Sequence, residues 1–244
     1  MMYVVCFYWE GERWQEKQKL EGTFAEHLKR AGTVSHELAS RYVNNLYKGV
    51  ERFASEEFKF ICFTNIDLNL NENIEKRSFP IYSKKGVLPR IYMFSRQSGL
   101  FGNQVLCLDL DVVVVGSLKP LMDYKGLFCG RGGFGKGWEN TIDGDIMSFR
   151  AGKEAEDLFW KPFVDNIKWA EDYTQGRERQ WMRYVAMDWA DLWQKIAPGS
   201  VVSYKRHVRK NRRGEIPKGA SIVSFHGYPR PHQVNNPRIK QYWQ

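Results

Sequence analysis

The chain has 244 residues, of which 43% are hydrophobic and 15% aromatic, and its net charge is +9. This length and apolar content exclude a mostly disordered protein and predict one α/β domain over 1–244, with two small domains as the alternative. No stretch of about 18 consecutive apolar residues occurs. The N-terminus lacks the basic region and cleavage site of a signal peptide, and the four cysteines (Cys6, Cys62, Cys107, Cys129) form no CxxC pair. A cytoplasmic protein is therefore expected. Two further options are a protein bound at a membrane surface and a phage-encoded protein in a host cytoplasm.

Apolar runs of strand length predict β-strands at 3–8, 58–64, 105–108, 112–115 and 222–225. A helix capped by Ser35 is predicted between the first two strands, with an apolar face of Leu38, Tyr42, Leu46, Val50 and Phe53. A second helix is expected after Pro89, carrying Ile91, Tyr92, Phe94 and Leu100. A third is expected from Glu154 to Trp169, with Leu158, Phe159, Phe163 and Ile167 buried. The glycine-rich stretch 126–137 indicates a loop.

Strands that alternate with helices predict a mainly parallel central sheet flanked by helices on both faces. In such sheets ligands bind beyond the carboxyl ends of the strands.

Two carboxylates, Asp109 and Asp111, interrupt the apolar run 105–115. In an extended strand residues i and i+2 point to the same side, so the carboxylates should converge while Leu110 faces the core. Unpaired carboxylates at an apolar sheet edge are costly, and Mn²⁺ or Mg²⁺ shared with substrate phosphates would neutralise them. The alternatives are that the aspartates cap a turn or pair with arginines.

A second motif lies near the C-terminus, where the strand 222–225 leads into His226-Gly227 and to Arg230 between two prolines. A neutral His226 imidazole is a candidate third metal ligand, and the Arg230 guanidinium can hold phosphate oxygens in a bidentate fork. The competing interpretation is a histidine that only makes structural hydrogen bonds.

Together these two motifs resemble those of the family 8 glycosyltransferases. Further similarity covers most of the chain, at 42–47, 63–65, 116–121 and 143–149. Two departures stand out: Arg230 replaces the common lysine at a shorter spacing from His226, and Asp143-Gly144-Asp145 replaces an Asn-Ser pair. The resemblance implies a GT-A, Rossmann-like nucleotide-sugar-binding fold, with a nucleotide-binding half at 1–115 and a sugar and acceptor half at 116–244.

The resemblance also implies an enzyme that transfers a hexosyl or pentosyl group, with retention, from a UDP-sugar to an acceptor hydroxyl. Its donor contacts would come from Tyr8, Trp9, Thr64, Arg90, Leu110, Gly227 and Arg230. The segment 176–181 corresponds to the one that lines the donor sugar, so the candidate catalytic residues are Glu178, Asp145 and Arg179. Tyr8 and Trp9 could instead be core aromatics, and Arg90 an exposed helix charge.

The stretch Gly130–Lys136 matches the GxxxxGK pattern of a phosphate-binding loop, but Gly137 stands where Ser or Thr is needed. No apolar helix is predicted to follow, so the match is interpreted as accidental. A loop over the sugar or the acceptor is expected there.

A basic segment, 204–218, contains seven basic side chains against Glu215. Six of these are candidate contacts for a polyanionic partner: Lys205, Arg206, Arg209, Lys210, Arg212 and Arg213. The segment could equally be a solvated loop. Three classes of function therefore stay open: transfer to a glycan, lipid or protein; transfer to hydroxymethylated DNA of phage type; and non-catalytic nucleic-acid binding.

Overall fold

The computed structural model describes residues 1–9, 35–211 and 213–244. Its strands are β1 (Met2–Tyr8), β2 (Phe58–Thr64), β3 (Ile74–Arg77), β4 (Gln104–Leu108), β5 (Val112–Val114), β6 (Phe128–Gly132), β7 (Ile142–Arg150), β8 (Asp191–Leu192), β9 (Val201–Ser203) and β10 (Ile222–Ser224). Its α-helices are α1 (His36–Phe53), α2 (Lys119–Met122), α3 (Lys153–Ala155), α4 (Lys161–Asp165), α5 (Ile167–Thr174), α6 (Glu178–Ala186), α7 (Trp193–Ile196) and α8 (Pro237–Lys240). Short 3₁₀ helices occupy Leu88–Phe94, Arg96–Ser98 and Pro231–Gln233, and π-helical turns occupy Glu156–Trp160 and Tyr204–Val208.

Seven strands form the main sheet in the order β3-β2-β1-β4-β7-β6-β8. Strands β1 to β4 run parallel, and β7 is antiparallel to both β4 and β6. A smaller sheet has the order β5-β10-β9, with β10 antiparallel to β5 and parallel to β9. The mainly parallel sheet predicted from the sequence is confirmed, with β7 as an antiparallel insertion.

The prediction of a loop at 126–137 was wrong over β6, which is buried along its whole length. Its glycines mark close approach of neighbouring chain segments. A Cβ atom at Gly130 would lie 2.8 Å from Ile142 Cγ2, and one at Gly132 would lie 2.5 Å from the Glu139 carbonyl oxygen. Glycine here therefore reflects a lack of space in a strand, and not a turn.

Helix α1 is confirmed, and the Ser35 hydroxyl accepts a hydrogen bond from the Leu38 backbone N–H at 3.1 Å. The helix expected after Pro89 is a 3₁₀ helix that starts at Leu88 and ends at Phe94, before Leu100. Residues 154–169 do not form the one continuous helix that was expected. Pro162 has no N–H to donate, so the hydrogen-bond ladder loosens into the π-helical turn before it, and the chain breaks again at Asn166.

Apolar clusters cover both faces of the main sheet. One cluster packs the 3₁₀ helix 88–94 and residues 155–186 against it, and the other packs α1 and α2 on the opposite face. A third cluster joins the small sheet to the C-terminal residues 234–243. No helix in the described part of the chain is both long and apolar enough to cross a bilayer.

Candidate functional site

An open pocket of about 750 Å³ lies at the carboxyl edge of β4. It combines five carboxylates with a larger number of cationic side chains. The carboxylates are Asp109, Asp111, Asp143, Asp145 and Glu178, and the seven arginines are Arg90, Arg131, Arg177, Arg179, Arg183, Arg206 and Arg230; His226 also lines the pocket. The pocket draws on both 1–115 and 116–244, and the assignment of separate roles to these halves stays a prediction.

The segment Asp109-Leu110-Asp111 forms a turn between β4 and β5, so the expected extended-strand geometry was wrong. The Val112 N–H donates to the Asp109 carbonyl at 3.3 Å, and the Asp109 N–H donates to the Asp145 carbonyl at 2.8 Å. The physical reason is topological, because the chain leaves the main sheet here to enter the small one. Both carboxylates still reach the pocket, and Leu110 packs half-buried against an apolar cluster.

Arg90 is 5% exposed and lies between segments that are distant in the sequence. Its guanidinium contacts the Asp109 carboxylate, lies 3.0 Å from Glu178 Oε2, and donates to Cys107 Sγ and to the Gly144 carbonyl, each at 3.1 Å. Burial disfavours the charged guanidinium, but Asp109 and Glu178 outweigh it and raise the pKa of Arg90. The alternative of an exposed helix charge is therefore wrong, and the alternative of an arginine partner for Asp109 is confirmed.

Arg131 on β6 is the second buried arginine, and the sequence analysis did not identify it. Its Nη2 lies 2.9 Å from Asp143 Oδ2 and its Nε lies 2.5 Å from Asp145 Oδ1. The Ser224 hydroxyl donates to the other Asp145 oxygen at 2.5 Å. Burial would raise the pKa of Asp145, but Arg131 and Ser224 more than offset burial, and the pKa is lowered. Two signals in the sequence could have indicated this cluster: carboxylates spaced i, i+2 at Asp143 and Asp145, and an arginine twelve residues before Asp143, directly after Phe128-Cys129-Gly130.

Glu178 begins α6 and is 2% exposed. Oxygen Oε1 is buried and has no hydrogen-bond partner among the described residues, whereas Oε2 faces Arg90. Burial raises the pKa of Glu178 to about 8, since it outweighs the opposing effect of Arg90. Gly144 makes room for this carboxyl, because a Cβ atom there would lie 3.3 Å from it.

His226 and Arg230 both line the pocket, as the second motif predicts. The His226 ring stacks on Phe134 with 5.4 Å between centroids, and its Nε2 lies 2.7 Å from the Ser203 hydroxyl. Burial, Lys205 and Arg131 lower the pKa of His226 to about 4, so the imidazole is neutral at pH 7. Arg230 contacts the Asp111 carboxylate, and its side chain is 38% exposed.

Gly227 has a φ of 80°, a left-handed conformation that explains a glycine directly after the histidine. Arg179 is half exposed, and its guanidinium lies 3.6 Å from Asp143.

Tyr8, Trp9 and Thr64 lie at the same edge of the sheet, since Tyr8 pairs with Thr64 in the register of β1 and β2. Trp9 packs edge-on against Phe7 and Phe79, and the Thr64 hydroxyl accepts from the Ile66 N–H at 3.1 Å. The structure does not bring these three residues, or Leu110, into the lining of the pocket. Their assignment as donor contacts stays a prediction.

Asp109, Asp111 and His226 fit a divalent ion by type, because carboxylates and neutral imidazole are its ordinary ligands. Their arrangement shows competing partners: each carboxylate contacts an arginine and the imidazole contacts Ser203. Across residues 1–9, 35–211 and 213–244, no three acidic, histidine or cysteine side chains are grouped as ligands of a metal. The metal site therefore stays a prediction.

The loop 133–141 contributes five residues to the pocket lining: Gly133, Phe134, Gly135, Trp138 and Thr141. Its Gly133 N–H donates to the Trp138 and Thr141 carbonyls, and Trp138 is exposed near the Arg183 guanidinium. Strand β7 follows this loop, so the GxxxxGK match lacks the helix that a phosphate-binding loop requires.

The basic segment 204–218 lies partly at the pocket and partly on the exposed surface. Lys205 is half-buried close to Gly227, and Arg206 lines the pocket, whereas Arg209, Lys210 and Arg213 are exposed. Arg212 lies outside the described residues. The expected single polyanion-binding surface is therefore not supported, because Arg206 belongs to the pocket and Lys205 is half-buried beside Gly227.

No known family model matches this sequence, and no curated protein matches it. Solved structures do. The galactosyltransferase LgtC, in complex with donor and acceptor sugar analogues, aligns with a TM-score of 0.62 at 11% identity, over 99% of this chain and 95% of that one. The chain has the fold of a GT-A glycosyltransferase.

Two further glycosyltransferases share this fold. WbbM, a bifunctional enzyme, aligns with a TM-score of 0.57 at 11% identity over 98% of this chain and 49% of its own. GlyE of Streptococcus pneumoniae TIGR4 aligns at 0.58 and 12% identity over 99% of this chain and 60% of its own. The fold that the resemblance implied is thus confirmed, while the chain spans nearly all of LgtC and only part of the other two.

Proposed function

We propose that the chain is a glycosyltransferase that moves a sugar from a nucleoside-diphosphate sugar, of the UDP type, to an acceptor hydroxyl with retention. The observation that carries this proposal is the position of the pocket. It lies at the carboxyl edge of β4 in a GT-A fold, and it gathers Asp109, Asp111, His226 and Arg230 from two distant motifs.

The charge of the lining suits a departing diphosphate. Seven arginines face five carboxylates, so the pocket is cationic overall even with every carboxylate ionised. Arg206 and Arg230 are accessible, and their guanidinium groups can donate to phosphate oxygens as negative charge develops on the leaving group. Buried Arg90 and Arg131 instead hold the carboxylates in place.

A divalent cation, Mn²⁺ or Mg²⁺, would be held by Asp109, Asp111 and His226 and would neutralise part of the leaving diphosphate's charge. Two observations support these residues as ligands of the cation. The His226 imidazole is neutral at pH 7, and the Arg230 side chain that contacts Asp111 is exposed enough to move away from it.

Glu178 is the best supported of the three candidate catalytic residues. Its carboxyl oxygen Oε1 is buried, lacks a partner in the described structure, and belongs to a side chain that lines the pocket. Asp145 is already engaged by Arg131 and Ser224, and we assign it to positioning. Arg179 is accessible at the rim, where it can contact either substrate.

A screen of donors and acceptors tests the proposal. Purified protein with Mn²⁺ is incubated with UDP-glucose, UDP-galactose and UDP-N-acetylglucosamine, and donor cleavage and product mass are measured with glycan and hydroxymethylated-DNA acceptors. Cleavage of at least one donor, lost in Asp109→Asn, is expected. Failure of every donor to bind would overturn the enzyme assignment, and salt-dependent DNA binding without donor binding would favour the non-catalytic alternative.

The pKa of Glu178 predicts a stability effect that depends on pH. The Glu178 carboxyl has a pKa of about 8 in the folded state, whereas its ordinary pKa is 4.5. Because the folded state therefore keeps this proton over a pH range in which the unfolded state loses it, the wild type should lose stability as pH rises from 4.5 to about 8. Glu178→Gln mimics the protonated form and lacks this loss, so its Tm relative to wild type should rise from pH 5 to pH 9. Thermal unfolding at both pH values measures it, with exposed Glu154→Gln as the control; parallel pH profiles for wild type and Glu178→Gln would contradict it.

A further inference from the structure

Three aromatic side chains form an exposed cluster on α5 and α6, which we name the aromatic triad: Trp169, Tyr173 and Tyr184. Their exposed fractions are 44%, 52% and 55%. Trp169 stacks on Tyr173 with 5.2 Å between centroids, and Tyr184 lies 5.1 Å from Trp169 and 5.4 Å from Tyr173. Contiguous exposed rings of this kind commonly mark an interaction site.

The triad rests on a rigid support. Trp181 is fully buried beneath it, 6.3 Å from Trp169 and 5.6 Å from Tyr184, and its indole N–H donates to the Phe159 carbonyl at 3.0 Å. The rings therefore hold their relative positions through contacts within the protein. A preformed surface costs little conformational entropy when a ligand binds to it.

The triad continues directly from the candidate pocket. Gln180 lines the pocket, and Tyr184 lies one helical turn later on the same face of α6, about 6 Å along the axis. Tyr173 lies on α5 just before Gly176, which also lines the pocket. A ligand that leaves the pocket along α6 therefore meets the triad after a short distance.

The charges around the triad favour a neutral ligand. Residues 165–190 carry five acidic and four basic side chains, and Lys85 pairs with both Glu171 and Asp172, so the charges near the triad nearly balance. A surface without net positive charge offers no electrostatic attraction to a nucleic acid or an anionic membrane. A neutral saccharide suits the surface, because the C–H faces of its rings can pack on aromatic rings while its hydroxyl groups bond to neighbouring polar side chains.

We propose that the aromatic triad binds the neutral oligosaccharide portion of the acceptor, several sugar units away from the hydroxyl that is glycosylated. This inference rests on the proposed function, because it gives that activity an acceptor class. It requires the acceptor to be longer than one or two units, so that one end lies in the pocket while the other packs on the triad.

Affinity electrophoresis and calorimetry with neutral oligosaccharides test the inference directly. Maltoheptaose, cellohexaose, chitohexaose and mannohexaose serve as probes, each with its monosaccharide. Wild type should bind at least one hexamer or heptamer more tightly than the monosaccharide, and Tyr173→Ser with Tyr184→Ser should weaken that binding by about tenfold or more. The matched controls are Trp189→Ala and Tyr82→Ser, two exposed aromatics outside the triad.

Oligosaccharide binding tests the triad, whereas UDP binding and donor cleavage test the proposed function, so failure of one can be told from failure of the other. UDP binding and donor cleavage should be unchanged in the triad variants, because the triad is not part of the pocket lining, and Tm shows that each variant is folded. Oligosaccharide binding that is equal in wild type and triad variants would overturn the inference. So would binding of an oligothymidylate or of phosphatidylcholine–phosphatidylglycerol vesicles that depends on the triad, or an absence of oligosaccharide binding in a wild type that cleaves a donor.

Discussion

Arg131→Met should lower the free energy of unfolding by about 3–5 kcal/mol. The guanidinium of Arg131 is 3% exposed and contacts both Asp143 and Asp145. Methionine keeps much of the apolar volume but leaves two carboxylates at the pocket wall without their main counter-charge. Urea unfolding at pH 7, followed by fluorescence, measures the loss.

Arg179→Met is a matched control, because this half-exposed guanidinium lies 3.6 Å from the same Asp143 carboxylate. Exposed ion pairs of this kind contribute about 0–1 kcal/mol to the free energy of unfolding. Adding Asp143→Asn and Asp145→Asn to Arg131→Met should restore part of the stability, because the charges that lacked a partner are removed. If Arg131→Met costs no more than Arg179→Met, the buried cluster does not stabilise the fold as argued.

Asp111→Asn should reduce glycosyl transfer about 10²-fold or more at saturating donor, an effect comparable to removal of one strong electrostatic contact in an active site. The proposed reason is the loss of a charged ligand of the divalent cation. Activity and UDP affinity, measured by calorimetry with Mn²⁺ and with EDTA, should both lose their dependence on the ion. Asp123→Asn, an exposed aspartate that pairs with Lys119, is the control.

The contact between Asp111 and Arg230 predicts a different result for the same substitution if Asp111 is not a metal ligand. If Asp111 only pairs with Arg230, its replacement releases the guanidinium, and UDP should bind more tightly without any change in metal dependence. Tighter binding would thus assign the diphosphate to Arg230 alone and remove the metal from the mechanism. Weaker binding together with lost Mn²⁺ dependence would support the ligand role.

Elements with a local signal were predictable from the sequence. Helix α1 has an apolar face with helical spacing and a serine cap, β1 is a continuous apolar run, and β2 is an apolar run interrupted by Lys59. The two motifs at 109–111 and 226–230 were also recognisable, because carboxylates, histidine and arginine have distinctive chemistry wherever they occur. Strand β6 was missed because its glycines serve close packing against neighbours that a single sequence does not reveal.

The sequence by itself thus determined the alternation of strands and helices, the two motifs and the resemblance to a glycosyltransferase family. Only the tertiary structure decided that Arg90 meets Asp109 and Glu178, that Arg131 holds Asp143 and Asp145, and that Trp169 and Tyr184 share one surface. Periodicity and capping act between near neighbours in the chain and can be read locally. Ion pairs and ring contacts join segments brought together by sheet order and helix packing, and their energies depend on burial that no local pattern specifies.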